Sequence, residues 1–165
     1  LGAAGRARDF CPAAFLREAG AAASTPAFQR RLDAVHRRFT ALRGSAEADD
    51  VQVLRWIVDR CDPQDRREGS GLGFQLAAVD MAPCVLWIAA RYHRVPEEAI
   101  MRAISIGGDT DTCACMVGAI LGALHGTKWI PLRWWDGVEN GKRGRDYAVS
   151  LAEKLAELSI PEACD

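Results

Sequence analysis

At 165 residues, 49% of them hydrophobic, the chain is long enough to close a buried core and is of one-domain size. Its 26% charged residues nearly cancel, to a formal net charge of -1, which argues against nucleic acid as the main partner because no face is obliged to be basic. No run reaches the roughly twenty apolar residues of a bilayer span, and no signal segment is visible, so no membrane is expected and the cytoplasm is the default location.

From the N-terminus, Pro12 to Ala22 suits a short first helix. Pro26 to Arg43 sets Phe28, Leu32, Val35, Phe39 and Leu42 at three- and four-residue steps, a second helix stopped by Gly44. Ser45 then caps a third, with Val51, Leu54, Val58 and Cys61 as its inward stripe, and Asp62-Pro63 with the polar, Gly-rich Gln64 to Gly73 ends it. Asp49-Asp50 reads as the solvated first turn of that helix.

Phe74 to His93 is the most buried helical candidate, and Pro83 inside it predicts a kink or the start of a straighter part. Asp80, beside that break, either stands behind a nearby metal site or caps freed amides. Pro96 to Ile104 carries proline at its first position and acids in its first turn, and Cys113 to Leu124 is apolar and helix-compatible. Gly118, Gly122 and Gly126 recur every four residues, which places them on one helical face and predicts a close approach by a neighbouring helix.

Trp129, Trp134 and Trp135 read as a loop covering the edge of the core, more economically than as a stacking platform for nucleic acid. Arg145 to Leu158 forms a last amphipathic helix through Val149, Leu151, Leu155 and Leu158. Strands are hard to find, and the fold class is all-α. The six cysteines form no CxxC pair and read as buried free thiols, and His36, His93 and His125 match no triad or zinc spacing.

The most informative stretch is Ser105-Ile106-Gly107-Gly108-Asp109-Thr110-Asp111-Thr112, where two carboxylates and two hydroxyls occupy four consecutive residues after a diglycine. Hard cations such as magnesium take oxygen ligands, borrowing one or two carboxylates from a protein and filling the shell with water or substrate. The competing reading is a helix N-cap, which needs only one of the four side chains and no diglycine. An EF-hand loop fails, because Ala114 and Ile120 stand where its glycine and bidentate glutamate belong. A phosphatase-type aspartate would follow a β-strand, and the segment before Asp109 reads as helix.

This motif, followed by the glycine series, resembles the C-terminal metal motif of the ADP-ribosylglycohydrolase family. Gly71-Leu72-Gly73-Phe74 and then Ala77-Ala78-Val79-Asp80-Met81-Ala82-Pro83 are similar to the family's Gly-rich turn and the helix packed behind its site. Specific matching covers about residues 69 to 126, the metal-motif core. The resemblance implies a compact orthogonal helical bundle holding two magnesium ions, which bind the ribose hydroxyls of an ADP-ribose unit and activate water; manganese is also compatible with such oxygens. By position, Asp109, Asp111 and Thr112 are implied metal ligands, while Gly73 and Phe74 are implied to line the ADP-ribose cleft.

The family's N-terminal half, with a Gly-Asp helix, an acidic residue and a Thr-Asp-Asp trio, has no counterpart here. Residues 1–165 are therefore expected to be one all-α domain or the C-terminal part of one, lacking the N-terminal half and holding half a site. The catalytic residue is then unknown, and a complementary N-terminal segment or subunit is the expected partner, together with an ADP-ribosylated protein or conjugate as substrate. The expected function is magnesium-dependent hydrolysis of the glycosidic bond between ADP-ribose and a protein side chain or small conjugate. The alternative is a non-catalytic ADP-ribose-binding or structural relative. Which linkage is cleaved, to arginine, serine or another group, is not set by these residues.

Overall fold

A computed structural model describes residues 7–42, 50–59 and 77–158, and among them there are helices and no strand, the all-α class expected. The chain divides into two compact units, Leu1–Trp129 and Ile130–Asp165.

In the first unit, α1 (Pro12–Ala21) and α2 (Pro26–Ala41) begin at the prolines marked in the sequence, where a fixed φ and a missing N–H cost nothing. Thr25 adds a cap to α2, its hydroxyl accepting from the Phe28 amide at 3.3 Å. The two helices pack together, and at Gly20 an added Cβ would stand 2.9 Å from Asp33 Oδ1, so the bare backbone allows this approach. Next, α3 (Asp50–Asp59) buries Leu54 as expected, together with Val53 and Ile57. Gly44, Ser45 and Cys61 lie outside the described residues.

The centre of the unit is α4 (Ala78–Tyr92), which touches α1, α2, α3, α5 (Pro96–Ser105) and α6 (Thr110–His125). Burial on nearly every side, from Met81 to Ala90, explains why this stretch is the most apolar of the chain. Trp87 is fully enclosed, with Phe39 of α2 set edge-on to it at 5.7 Å. The helix runs through Pro83, which has no N–H to give the Val79 carbonyl.

Asp80 has a partner that neither sequence reading named. Its Oδ1 accepts from Arg31 Nη1 of α2 at 3.0 Å, and both side chains are only 1% exposed. A buried charge is retained where an opposite charge and hydrogen bonds replace water, so this pair ties the start of α4 to α2.

The glycine face of α6 differs from expectation. Cys113, Val117 and Leu121 form its buried edge. A Cβ on Gly118 would make ordinary contact with Ile100 at 3.6 Å, and one on Gly122 would meet nothing within 4 Å. The four-residue period therefore does not mark a tight helix crossing among the described residues. Gly126 serves another purpose: at φ 73° it ends the helix, its amide bonding the Gly122 carbonyl at 2.8 Å.

In the second unit, α7 (Leu132–Trp135) is a single turn and α8 (Arg145–Glu157) is the last described helix. Arg133 lies over Trp134 at 5.5 Å and Arg145 over Trp135 at 5.1 Å, so both half-buried indoles are covered by cations of their own unit. Trp129 instead packs on the core of the first unit. Asn140 brackets the start of α8, donating to Asp146 Oδ2 at 2.8 Å and accepting from the Asp146 amide at 2.9 Å. The amphipathic stripe on α8 is present, yet Leu151, Leu155 and Leu158 are exposed together with Tyr147, because a unit this small cannot enclose a core.

Candidate metal centre

The end of α5 and the start of α6 hold the acidic motif. Ser105 closes α5 by turning its hydroxyl back to the Met101 carbonyl at 2.7 Å, which takes it out of the oxygen cluster. Ile106, 7% exposed, anchors the turn in the core. Gly107 and Gly108 follow at φ 83° and 76°, two consecutive residues in the left-handed region where an L side chain is disfavoured. That requirement accounts for the diglycine and turns the chain so that Asp109 begins α6 at the surface.

Asp109 is the N-cap of α6, its Oδ1 accepting from the Thr112 amide at 3.4 Å, a long bond that leaves most of the carboxylate's acceptor capacity unused. Asp111 and Thr112, in the first turn, are exposed. A hydrogen bond with the Asp109 carboxyl, followed by the amides of Thr112 and of Asp111 itself, holds the Asp111 carboxyl below its ordinary range. Asp111 also lies in the first turn of α6, at the positive end of the helix dipole, which favours its charged form.

Cys113, the next residue, points the other way. It is buried, and desolvation together with the charge of Asp109 pushes its thiol up to about 11, so it stays protonated near neutrality and contributes no soft ligand. The exposed donors of this turn are all oxygens, a set that fits magnesium or manganese and disfavours zinc. Among the described residues no group of three His, Cys, Asp or Glu side chains gathers into a metal site. Two carboxylates and one hydroxyl leave a cation's shell to be completed by other oxygens.

Capping and ligation do not compete here, since a carboxylate can accept one amide and still face a cation. The structure brings Asp109, Asp111 and Thr112 together on one turn, and Gly73 and Phe74 lie outside the described residues. His125 is remote: it ends α6, and 16 residues of helix span about 24 Å at 1.5 Å per residue. There its Nε2 donates to the His93 carbonyl at 2.6 Å, so it packs the core edge. What sequence reasoning did not supply is that the Asp109 carboxyl lowers that of Asp111 through a hydrogen bond; the Asp-x-Asp spacing at a helix start is the signal that carries it.

The family model for ADP-ribosylglycohydrolase matches residues 3–163. The chain is similar to the ADP-ribosylhydrolase ARH3 of Danio rerio, 39% identical over 115 residues that make up 64% of this chain and 30% of that protein. It is also similar to the ADP-ribosylhydrolase ARH3 of Homo sapiens, 34% identical over 105 residues, 58% of this chain and 29% of that protein. The ADP-ribosylarginine hydrolase Tri1 of Serratia proteamaculans (strain 568) is 31% identical over 112 residues, 68% of this chain and 28% of that protein. The chain thus spans about three tenths of the length of these curated relatives. No solved structure matches it.

Proposed function

We propose that this chain, which belongs to the ADP-ribosylglycohydrolase family, supplies the C-terminal part of a magnesium-dependent site that hydrolyses the glycosidic bond of an ADP-ribose conjugate. One observation carries the reading: Asp109 and Asp111 stand together at the start of α6, on a surface turn that two left-handed glycines build. A helix cap alone requires neither the second acid nor the second glycine.

In this reading Asp109 and Asp111 hold a divalent cation through carboxylate oxygens, and the Thr112 hydroxyl adds a neutral one. Buried Ile106 and the packed face of Cys113, Val117 and Leu121 fix the start of α6, so that both carboxylates keep their positions when charged. When bound, magnesium would polarise sugar oxygens, position water and offset charge as the bond to the leaving group breaks. Manganese suits the same donors. Gly73 and Phe74 are assigned to ADP-ribose binding by the resemblance alone.

Two carboxylates do not complete a two-ion shell, so the remaining acidic ligands and the catalytic acid come from a complementary N-terminal segment or subunit. The chain alone then binds the cation but turns over little, and its substrate is an ADP-ribosylated side chain or small conjugate. The test measures release of ADP-ribose from ADP-ribosyl-arginine and ADP-ribosyl-serine peptides with magnesium, using the chain alone and the chain joined to the N-terminal half of a relative. Release by the joined protein, lost in Asp109→Ala with Asp111→Ala, is expected. No release by a folded joined protein would favour the non-catalytic alternative, and robust release by the chain alone would refute the need for a complement.

A further inference from the structure

A cavity of about 380 Å³ opens at the opposite end of α6 from Asp109. His125, the last residue of α6, bonds the carbonyl of His93, and His93 lines the cavity. A 16-residue helix therefore separates it from the acidic motif by about 24 Å. The volume falls within the range of small-molecule sites.

Its walls are aromatic. Phe39 of α2 and Phe10, before α1, line it, with Phe10 leaning on the His93 ring at 5.3 Å and Phe39 set edge-on to the enclosed Trp87 at 5.7 Å, so aromatic surface borders the space from two parts of the chain. Its charge has one sign. Arg91 and Arg94 line it, and no aspartate or glutamate does so among the described residues. Cys11, Pro12 and Ala13 close another side as the start of α1, which has no side-chain cap and no acid in its first turn.

We propose that this cavity binds a small aromatic anion, a planar ring carrying a phosphate or carboxylate, with the ring between Phe10 and Phe39 and the anion toward Arg94. An apolar pocket alone would not need a rim of one charge, and an anion site alone would not need aromatic walls. A guanidinium matches phosphate and carboxylate oxygens in pairs, which gives the rim its preference. The site does not depend on the proposed hydrolase activity, and it is tested without metal.

The chain carries its own reporters. Cys11 lines the cavity and is exposed, while Cys115, also exposed, sits near the start of α6 at the other end. Alkylation by N-ethylmaleimide, with a chelator present and each cysteine peptide followed by mass spectrometry, should be slowed at Cys11 by 1-naphthyl phosphate and unchanged at Cys115. By mass action, protection is about tenfold when the ligand stands at ten times its Kd. Inorganic phosphate and 1-naphthol, each lacking half of the recognised chemistry, should protect far less.

Arg94→Glu, at an exposed position that does not disturb the core, should weaken protection by about tenfold or more, and Arg94→Lys should keep most of it. Equal protection of Cys11 and Cys115, no protection at saturation, full protection by 1-naphthol, or an Arg94→Glu chain that binds like wild type would each overturn the proposal.

Discussion

Asp80→Asn should be among the most destabilising single changes in the first unit. The carboxylate and its Arg31 partner are each 1% exposed and 3.0 Å apart, and the amide that replaces it removes the negative charge of this buried pair. Removing one partner of a buried pair costs about 3–5 kcal/mol, against roughly 0–1 kcal/mol for a surface pair. In a chain of this size each kcal/mol moves Tm by about 2–4 °C, so a loss on the order of 10 °C is expected. Arg31→Met should cost a similar amount. The double variant, in which neither charge is left over, should recover much of the loss, because an apolar replacement of a buried pair is often near neutral. Thermal and urea unfolding of the four proteins make a double-mutant cycle, with an expected coupling of about 2–3 kcal/mol. Single variants within about 0.5 kcal/mol of wild type, or strict additivity, would refute a structural ion pair at this position.

Gly122→Ala should stabilise the chain by about 0.5–1 kcal/mol, because the new methyl meets nothing within 4 Å and helix propensity improves; a lowered Tm would point to a contact at that face. Gly107→Ala has open space too but sits at φ 83°, so it should lose on the order of 1–2 kcal/mol in urea unfolding and weaken magnesium binding with it. Cys113 should resist alkylation near neutral pH while Cys115 reacts, since burial raises its thiol from 9.0 to about 11. The sign follows: the folded state holds that proton more tightly than the unfolded one, so the contribution to stability is present below 9.0 and is lost as pH rises toward about 11, which alkaline unfolding of wild type against Cys113→Ala would read.

Local signals carried the fold well. The prolines at 12, 26 and 96 each open a helix, and the apolar run through Trp87 marks the helix that every neighbour in the first unit packs on. The turn at the acidic motif was legible for the same reason, since two glycines before a cap announce an unusual backbone. Features that need two distant segments were not legible. Arg31 and Asp80 are 49 residues apart, and neither residue type at its position names the other. The aromatic cavity gathers Phe10 and Phe39 from two parts of the chain. The glycine period of α6 misled because spacing fixes which residues share a face but not which face packs; Cys113, Val117 and Leu121 took that role. On α8 the pattern gave the stripe, and only the small size of its unit explains why the leucines stay exposed.

The central claim is that the first turn of α6 holds a divalent cation. Calorimetric titration of magnesium and then ADP-ribose into the folded wild-type chain, and into Asp109→Ala with Asp111→Ala, tests it most directly. The account predicts magnesium binding, with ADP-ribose binding that depends on it, both lost in the double variant while its fold persists. A wild-type heat response that the double variant reproduces, or no magnesium binding by either folded chain, would contradict it.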